Sequence, residues 1–280
     1  MSKILITGAG GFIGQALYEK LKSDYEIITL DRSKGDITNI NTFQNIEKVE
    51  HVFHLAARTF VPDSWNETSD FLNSNLIGTA NVLEFCKRSN TSLTFVSAYI
   101  YGKPESLPIK ENAVIKPNNP YALSKFLSEQ ICEFYSTFHN LNITIIRPFN
   151  IYGPGQPIHF LIPKIIDMVK RKVKIELFDL APKRDYIFID DVVDALVKTL
   201  KLKLPGFNVF NIGSGKSLSV QEVVECIQAA AGTNLEVISK EQQRKEELDN
   251  VVADISNSLV NLKWAPFTEF ELGIKKTFDV

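Results

Sequence analysis

Three glycines between an apolar run and an amphipathic run constrain the fold of this chain most strongly. Gly8, Gly11 and Gly14 follow a predicted strand over Lys3–Thr7 and open a predicted helix over Phe12–Leu21. Their spacing differs by one residue from the pattern G-x-G-x-x-G, but the physics is the same. Glycines allow a tight turn and bring the backbone close to a pyrophosphate, whose charge the helix N-terminus stabilises. The context predicts an α/β fold with a dinucleotide-phosphate site at the sheet edge.

The rest of the first half alternates short β-branched apolar runs with amphipathic runs, which is typical of a buried parallel sheet joined by helices. The predicted strands are Ile27–Leu30, Val52–Ala56, Leu93–Val96 and Ile143–Ile146, and the predicted helices are Thr79–Ser89 and Tyr121–Phe138. After Tyr152 the predicted helices are Ile162–Lys172, Val192–Leu200 and Val220–Ala230, and the predicted strands are Tyr186–Ile189 and Val209–Ile212. Parts of residues 186–215 are expected to return to the sheet, and the charged segment Gln242–Leu248 is a predicted loop.

The composition excludes several classes of protein. The chain has 280 residues, of which 44% are hydrophobic and 23% charged, with a net charge of −2, so collagen-like, disordered and coiled-coil proteins are excluded. Nucleic-acid binders are usually strongly basic, and no apolar run approaches the ~18 residues of a membrane span, so neither partner is expected. Three widely spaced cysteines, Cys86, Cys132 and Cys226, favour a reducing cytoplasm, and no metal site is predicted.

Two neighbouring residues bear on the choice between dinucleotides. Asp31 ends the second predicted strand, where a carboxylate accepts both hydroxyls of a ribose and repels a 2′-phosphate. This favours NAD. Arg32 can meet a 2′-phosphate, so NADP stays open.

A candidate catalytic group follows from spacing and from the sheet edge. Tyr121 and Lys125 are four residues apart on a predicted helix and therefore share one face. An ammonium group near a phenol favours the phenolate, so Lys125 is expected to lower the pKa of Tyr121 from ~10 toward neutrality. A tyrosine tuned in this way can exchange a proton with an alcohol or carbonyl oxygen. Ser97 follows the strand Leu93–Val96, where its hydroxyl can hydrogen-bond the same oxygen.

The order of these motifs resembles the extended short-chain dehydrogenase/reductase family, in its nucleotide-sugar epimerase, dehydratase and reductase branch, over essentially the whole chain. The motifs that carry the resemblance are Thr7–Gly14, Asp36-Ile37, His54–Ala57, Asn75–Thr79, Ser97–Gly102, Asn119–Lys125, Arg147–Gly155 and Arg184–Asp191. By this similarity Tyr121 is the general acid/base, Lys125 tunes it and binds the nicotinamide ribose, and Ser97 holds the reacting oxygen. The expected cofactor-binding set is then Gly8, Gly11, Phe12, Ile13, Gly14, Asp31, Arg32, Asp36, Ile37, Leu55, Ala56, Ala57, Asn75, Tyr121, Lys125 and Pro148.

The resemblance implies a Rossmann-like, doubly wound parallel sheet with a smaller, interleaved C-terminal substrate-binding lobe. The expected dinucleotide-binding domain covers residues 1–153 and about 184–215, and the lobe covers about 154–183 and 216–280. A homodimer is also implied, through the helices Thr79–Ser89 and Tyr121–Phe138. Phe126, Ile131, Phe134 and Tyr135 provide its expected apolar surface, although some of that surface must face the domain's own core. His51 and His54 are expected to face opposite sides of one strand and not to pair on a metal, with His54 as a packing residue.

The substrate that the resemblance implies is a nucleotide-diphosphate sugar. In the family, one arginine in an Arg-Asp-Tyr-Ile segment and another ahead of an Ala-Asp pair grip the diphosphate, and Arg184 and Arg244 match these positions. Fork-shaped guanidinium groups suit phosphate oxygens. Asn150 matches a position that donates to the same diphosphate. Tyr99 is included among the substrate residues, and further sugar-facing candidates are Arg58, Thr59, Phe149 and His159.

Three reactions share this scaffold, and each begins or ends with hydride transfer, usually at C4 of the sugar. In the 4,6-dehydratases an Asp-Glu pair follows the active-site hydroxyl, and Ala98-Tyr99 stands there instead. A 4-epimerase like UDP-glucose 4-epimerase retains its NAD, and the motifs allow it. The short chain and the segment Glu176–Lys183 narrowly favour a 4-ketoreductase acting on nucleotide 4-keto-6-deoxyhexoses in deoxysugar biosynthesis. A non-catalytic NAD(P) sensor is disfavoured because Tyr121 and Lys125 are both present.

Overall fold

The computed structural model describes residues 2–202, 204–242 and 248–279, which form twelve strands and ten α-helices. The strands are β1 (Lys3–Thr7), β2 (Glu26–Leu30), β3 (His51–His54), β4 (Ser92–Val96), β5 (Ile143–Pro148), β6 (Asn150–Tyr152), β7 (Ile175–Leu177), β8 (Lys183–Arg184), β9 (Tyr186–Phe188), β10 (Phe207–Ile212), β11 (Leu218–Ser219) and β12 (Val237–Ser239). The helices are α1 (Phe12–Leu21), α2 (Val61–Ser64), α3 (Thr68–Leu72), α4 (Gly78–Ser89), α5 (Pro120–His139), α6 (Leu161–Lys170), α7 (Ile189–Thr199), α8 (Val220–Ala231), α9 (Ser256–Val260) and α10 (Phe270–Phe278).

Six parallel strands form the central sheet in the order β10–β5–β4–β3–β1–β2. From β1 the chain runs outward to β2 and then returns to the other side of β1 as β3. The direction of winding therefore reverses between β1 and β3. In open parallel sheets, ligands bind in the crevice that such a reversal opens at the carboxyl ends of the strands. The predicted doubly wound α/β sheet is confirmed.

The alternation of side chains along each strand places neighbouring residues in two different cores. In β1, Ile4 and Ile6 pack in the core that α1 and α7 cover, whereas Leu5 packs in the core that α4 and α5 cover. Because both faces of the sheet are buried, the strands appear in the sequence as continuous apolar runs.

The second half of the chain adds three two-stranded sheets to this framework. They pair β6 with β9, β7 with β12 and β8 with β11. Of the two strands predicted between residues 186 and 215, β10 joins the central sheet beside β5, whereas β9 pairs with β6 outside it. The division into a dinucleotide-binding domain and an interleaved lobe stays a prediction.

Two element boundaries differ from the sequence expectation for local reasons. The predicted strand Val52–Ala56 ends at His54, because the backbone N–H of Ala56 turns to the Thr7 side chain at 3.3 Å. The predicted helix Val192–Leu200 begins earlier, at Ile189, so that Asp190 and Asp191 lie in its first turn. Carboxylates in a first turn stabilise a helix N-terminus.

In the part of the chain that the structure describes, no helix is both long enough and apolar enough to cross a membrane.

Candidate active site

The glycine turn between β1 and α1 is tightly packed and fits a phosphate group. Gly8 has a φ of +73°, and a Cβ atom there would lie 2.6 Å from the backbone nitrogen of Ala56. A Cβ at Gly14 would clash with the carbonyl oxygen of Gly8. Helix α1 begins at Phe12 with Gly11 as its N-cap. Because glycine has no side chain to cap the helix, the first N–H groups, including those of Phe12 and Ile13, face outward to an anion.

Asp31 follows β2 and forms one wall of a cavity of about 360 Å³ beside the glycine turn. Its carboxylate accepts hydrogen bonds from the backbone nitrogen of Ser33 at 3.0 Å and from its hydroxyl at 2.5 Å. These bonds lower the pKa of Asp31, so the group is a carboxylate at neutral pH. Gly10 and Gln15 line the same cavity. A ribose fits this arrangement, and Arg32 is exposed next to it.

The two residues predicted to lie beside an adenine occupy the loop after β2. Asp36 is exposed and accepts a hydrogen bond from the backbone nitrogen of Thr38 at 2.9 Å. Ile37 is buried over the first residue of α4, where a Cβ on Gly78 would lie 2.5 Å from its Cδ1 atom. Gly78 therefore allows Ile37 to seat against the start of α4.

The loop Leu55–Ala57 after β3 is held in place by Asn75. This side chain is 1% exposed, accepts from the backbone nitrogen of Arg58 at 2.8 Å and donates to the Arg58 carbonyl at 3.0 Å. It also donates to the Ser124 hydroxyl on α5 at 2.8 Å. Asn75 thus ties the loop at the sheet edge to the helix that carries Tyr121 and Lys125.

Ser97 lies directly after β4 and is 3% exposed. Its backbone nitrogen donates to the carbonyl of Ile146 at 2.8 Å, which fixes the position of the residue. Its hydroxyl is buried and has no hydrogen-bond partner among the described residues. Because buried polar atoms in folded proteins are nearly always paired, an unpaired hydroxyl in a ligand crevice indicates a group that meets a ligand.

Helix α5 brings Tyr121 and Lys125 to the end of β4. Asn119 caps the helix by accepting from the backbone nitrogen of Ala122 at 2.8 Å, so both residues lie in the first two turns. The Nζ atom of Lys125 lies 4.0 Å from the ring centroid of Phe95 in β4. Tyr121 packs on the buried cluster that includes Ala98, the neighbour of Ser97. All three predicted catalytic residues therefore lie at the carboxyl end of β4.

The expected effect of Lys125 on the pKa of Tyr121 is not found. Burial raises the pKa of Tyr121 instead, because a phenolate would lose its hydration. Burial also lowers the pKa of Lys125 to about 7, an effect that the carboxylate of Glu129 partly opposes. The prediction was wrong because it considered the two charges without their desolvation. In this structure Tyr121 is a neutral phenol at pH 7.

A buried ion pair lies one turn beyond Lys125. Glu129 is 1% exposed and Arg147 is 4% exposed. Arg147 donates to Glu129 through Nη2 at 2.6 Å and through Nε at 3.0 Å, and through Nη1 to the Tyr101 hydroxyl at 2.9 Å. Tyr101 in turn donates to the side chain of Asn211 in β10 at 2.6 Å. Sequence reasoning missed this network, although Arg147 stands in a quoted motif and Glu129 shares a helix face with Lys125.

Pro148 and Asn150 stand where β5 ends and β6 begins. Pro148 is buried and lies opposite Ile212 in the ladder between β5 and β10. The side-chain nitrogen of Asn150 donates to the carbonyl of Asp185 at 3.0 Å, and so does its backbone nitrogen. Asn150 therefore joins the sheet edge to the segment that carries Arg184.

Tyr99 and Arg184, both predicted to face the substrate, are neighbours. The Tyr99 hydroxyl donates to the carbonyl of Gly102 at 2.6 Å, and its ring packs edge-on against Phe149 at 5.5 Å. Burial raises the pKa of Tyr99, and the positive charge of Arg184 opposes that rise. Arg184 donates to the carbonyl of Leu248 at 2.6 Å. The predicted substrate residue Arg244 lies outside the described residues.

Two of the further sugar-facing candidates, Arg58 and His159, lie in different surroundings. Arg58 forms ion pairs with Glu67 and with Asp70, the latter at 3.4 Å. His159 is exposed and packs edge-on against Phe60 at 4.4 Å.

The two strand histidines have different partners. His51 hydrogen-bonds Ser92 at 2.7 Å and Thr94 at 2.9 Å, whereas His54 hydrogen-bonds Thr7 at 2.7 Å and a second threonine, on α4. In the described segments, no three metal-ligating side chains come together.

The class of protein follows from this sheet edge and from its relatives. Residues 4–213 match the family described as the NAD dependent epimerase/dehydratase family, and the chain belongs to it. A GDP-6-deoxy-D-talose 4-dehydrogenase from Aggregatibacter actinomycetemcomitans is 34% identical over 270 residues, which cover 92% of this chain and 90% of that protein.

Two solved structures of relatives show the same fold. The Pseudomonas aeruginosa protein RMD, in complex with NADPH, has a TM-score of 0.92 and 26% identity and covers 100% of this chain and 98% of its own. The UDP-glucose 4-epimerase of Thermotoga maritima, in complex with UDP-glucose, has a TM-score of 0.94 and 26% identity, with coverages of 99% and 97%.

These relatives support an NAD(P)-dependent enzyme that modifies nucleotide sugars. They do not distinguish a ketoreductase from an epimerase. They also show that chain length does not favour the ketoreductase over the epimerase. This chain aligns over 97% of the Thermotoga maritima epimerase and over 98% of RMD, so the two relatives are of similar length.

Proposed function

We propose that this protein is an NAD(P)-dependent 4-ketoreductase of nucleotide-linked 4-keto-6-deoxyhexoses. The observation that supports hydride-transfer chemistry, in a ketoreductase and an epimerase alike, is the buried Ser97 hydroxyl. It has no partner among the described residues and lies at the carboxyl end of β4, where α5 also places Tyr121 and Lys125. The choice of the ketoreductase rests on the 34% identical relative, which is named as a 4-dehydrogenase of a GDP-linked 6-deoxy sugar. A 4-dehydrogenase and a 4-ketoreductase transfer the same hydride in opposite directions.

The catalytic residues have separate roles in this proposal. A bound reduced nicotinamide supplies the hydride. Ser97 donates a hydrogen bond to the C4 carbonyl oxygen and orients it. Tyr121 is a neutral phenol in the structure, because burial raises its pKa, and it donates its proton to that oxygen. Lys125 binds the nicotinamide ribose and, in its charged form, stabilises the phenolate that remains.

A dehydratase is disfavoured by the two residues directly after Ser97. Elimination across C5 and C6 needs an acid and a base beside the sugar. These two positions carry Ala98, which is buried, and Tyr99, whose hydroxyl is bonded to the carbonyl of Gly102. Neither side chain supplies a carboxyl group.

A 4-epimerase is the second candidate function. The TM-score of 0.94 with the Thermotoga maritima UDP-glucose 4-epimerase favours it. The same Ser97, Tyr121 and Lys125 would serve both directions of hydride transfer. An epimerase differs in retaining its cofactor and in giving the keto sugar room to rotate.

The expected cofactor is NAD, with NADP as the alternative. The carboxylate of Asp31 at the end of β2 supports NAD, because it accepts ribose hydroxyls and repels a 2′-phosphate. The exposed Arg32 beside it leaves NADP open. For the substrate we propose that Arg184 and Arg244 bind the diphosphate, with Asn150 and Tyr99 near it.

A cofactor-balance experiment tests the proposed reaction. The purified protein is denatured and the supernatant is analysed for released NAD(P). The native protein is then assayed for NADH and NADPH oxidation with GDP-, UDP- and dTDP-4-keto-6-deoxyhexoses, and for 4-epimerisation of UDP-hexoses without added reductant. Stoichiometric consumption of reduced cofactor supports the reductase. Tightly held NAD with redox-neutral turnover shows an epimerase, and turnover in neither assay contradicts both candidates.

We also propose a homodimer through α4 and α5. On α5 the aromatic rings of Phe134 and Phe138 are 52% and 67% exposed and pack together at 4.8 Å. Ile131 and Tyr135 are half-buried and pack partly against the chain's own core, as was expected for some of this surface. Sedimentation should show a dimer that Phe138→Ser weakens. Replacing Phe267, 61% exposed and outside α5, should leave it intact.

A cytoplasmic location is proposed from the cysteines. Cys86, Cys132 and Cys226 are all free thiols in the structure, and the first two are buried. Free buried thiols fit a reducing compartment better than an oxidising one.

A further inference from the structure

One buried carboxylate joins three separate segments of the predicted substrate side. Asp185 is 0% exposed and lies between β8 and β9. Its Oδ1 atom accepts from the backbone nitrogen of Ser214 at 2.6 Å and from the Ser214 hydroxyl at 2.8 Å. Its Oδ2 atom accepts from the backbone nitrogens of Gly215 and Ala253, both at 3.0 Å. Four donors thus converge on one carboxylate.

The backbone around Asp185 connects the same point to the predicted diphosphate residues. The Asp185 carbonyl accepts from both the backbone and the side-chain nitrogen of Asn150 at 3.0 Å. Arg184 immediately precedes it and bonds to the carbonyl of Leu248. Backbone bonds also join Lys183 to the segment that continues from Leu248, with Val251 donating to the Lys183 carbonyl at 3.2 Å.

The loop after β10 packs closely against the carboxylate of Asp185. A Cβ on Gly213 would lie 2.8 Å from the Oδ2 atom of Asp185 and 2.7 Å from the Cβ of Ala253. Glycine is therefore required at this position because the loop after β10 comes so close to Asp185. The loop after β10 and the segment around Ala253 therefore both pack directly on the carboxylate of Asp185.

We propose that Asp185 is a positioning residue for nucleoside diphosphate binding. It holds Arg184, Asn150 and the segment that begins at Leu248 in a fixed arrangement relative to one another. This inference rests on the proposed function. Charge-assisted hydrogen bonds are stronger than neutral ones, and a carboxylate is acceptor-only, so it satisfies all four donors at once. An amide in its place would point its own N–H groups at one pair of donors. The loop after β10 and the segment around Ala253 would then separate from Arg184.

The effect should fall on binding and not on the chemical step. Asp185 is bonded to elements of the substrate side, whereas Ser97, Tyr121 and Lys125 are positioned by β4 and α5. Loss of negative charge near a diphosphate would by itself strengthen binding. If Asp185→Asn binds the nucleoside diphosphate more weakly, the cause is therefore the lost arrangement of the binding residues and not the change in electrostatic potential.

The matched control is a second buried aspartate. Asp191 on α7 is also 0% exposed and accepts from the backbone nitrogen of Phe267 at 2.8 Å. It anchors the C-terminal segment, and it makes none of the bonds that hold Arg184 or Asn150. Asp185→Asn and Asp191→Asn thus each replace the carboxylate of a residue that is 0% exposed, and only Asp185 is bonded to the segments of the substrate side.

The experiment compares these two variants in binding and in turnover. Dissociation constants for GDP, UDP, dTDP and NAD(P) are measured by calorimetry, and KM and kcat are measured in the cofactor-oxidation assay. For Asp185→Asn we expect at least ~10-fold weaker binding of the nucleoside diphosphate that the wild type prefers, a matching rise in KM and little change in kcat or NAD(P) affinity. Asp191→Asn should lower the melting temperature without this selective loss.

Each other outcome counts against one of the two proposals. Unchanged diphosphate affinity in Asp185→Asn overturns the positioning role, and so does an equal loss in both variants. If the wild type binds none of the three diphosphates, the proposed function itself fails. Should Asp185→Asn not fold, Ser214→Ala removes only one of the four bonds. It should weaken diphosphate binding at least ~3-fold with NAD(P) binding intact, and no weakening overturns the role.

Discussion

Two buried polar groups in this molecule are satisfied in opposite ways. The hydroxyl of Ser97 at the end of β4 has no partner within the described residues, whereas the carboxylate of Asp185 between β8 and β9 accepts four hydrogen bonds. Both residues are at most 3% exposed. The difference separates a group that waits for a ligand from a group that builds the framework around one.

The contrast has an energetic meaning. A buried polar atom without a partner costs about 1–3 kcal/mol, and at Ser97 the explanation that we propose is a ligand in the crevice. A fully bonded carboxylate contributes to the native geometry, and removing it leaves several donors unsatisfied. Changes at the catalytic edge should therefore affect rate with little cost in stability, and changes in the bonded framework should affect stability or binding.

Tyr121→Phe should have the largest effect on rate. The variant removes only the hydroxyl that transfers the proton, so kcat is expected to fall by about 10²–10⁴-fold while the dissociation constant of NAD(P) is unchanged. Steady-state kinetics and fluorescence titration of the cofactor measure the two quantities. Turnover close to that of the wild type would rule out the proposed role of Tyr121.

Glu129→Gln should have the largest effect on stability. The change leaves the Arg147 guanidinium charged and unpaired in the core, which costs about 3–5 kcal/mol in the free energy of unfolding. Urea unfolding measures this loss. The matched control is Asp167→Asn, which breaks the exposed pair with Arg171 at 3.2 Å and should cost at most about 1 kcal/mol. Equal losses in the free energy of unfolding would show that burial does not determine how much each ion pair contributes to stability.

Ser97→Ala tests the catalytic side of the comparison directly. Loss of one preorganised donor to the reacting oxygen should lower kcat by about 100-fold. Because the hydroxyl has no partner in the described structure, the free energy of unfolding should stay the same or rise. A variant that is both active and destabilised would mean that Ser97 belongs to the framework instead.

The pH dependence of stability should reveal the two buried histidines. Burial lowers the pKa of His51 and His54 to about 3, because a charged ring would lose its hydration. The unfolded chain takes up protons on both rings below pH ~6.5, and the folded chain does so only near pH 3, so stability falls across that window.

Between pH 7 and pH 5 the loss should be about 2 kcal/mol per histidine. Urea unfolding at both pH values measures it. His51→Gln should reduce the pH dependence by about half, because it removes one of the two buried rings. An identical pH dependence in wild type and His51→Gln would contradict the neutral buried ring.

Arg184→Ala and Arg244→Ala should have the smallest of these effects. Each variant is expected to raise KM for the nucleotide sugar by at least ~10-fold, about 1.4 kcal/mol, with stability little changed. Steady-state kinetics against the preferred substrate measures KM. An unchanged KM in both would place the diphosphate elsewhere and would also weaken the proposed role of Asp185.

The parts of the fold that the sequence predicted are those with a local signal. Strand β1 and helix α1 have the predicted bounds, because the apolar run, the glycine turn and the amphipathic run follow one another directly in the sequence. The catalytic candidates Ser97, Tyr121 and Lys125 were predicted from strand ends and helix spacing in the same way, and their roles stay a prediction. The argument from chain length failed because length carries no information about the pocket.

The parts that escaped sequence reasoning depend on distant residues. Glu129 and Arg147 are 18 residues apart, and Asp185 meets Ala253 across 68 residues, so no local spacing reveals either contact. The pKa of Tyr121 escaped for a second reason. A neighbouring charge is visible in the sequence, but the loss of hydration that outweighs it depends on everything packed around the phenol.

The sequence by itself determined the alternation of strands and helices and the glycine turn, and it predicted which residues transfer the proton, since each depends on side chains within a few positions of one another. Tertiary structure alone decided which buried polar groups are paired, which titratable groups keep their protons and how the predicted diphosphate residues are held together. Desolvation and long-range hydrogen bonding are properties of the whole fold, and they exist only once segments far apart in the chain have met.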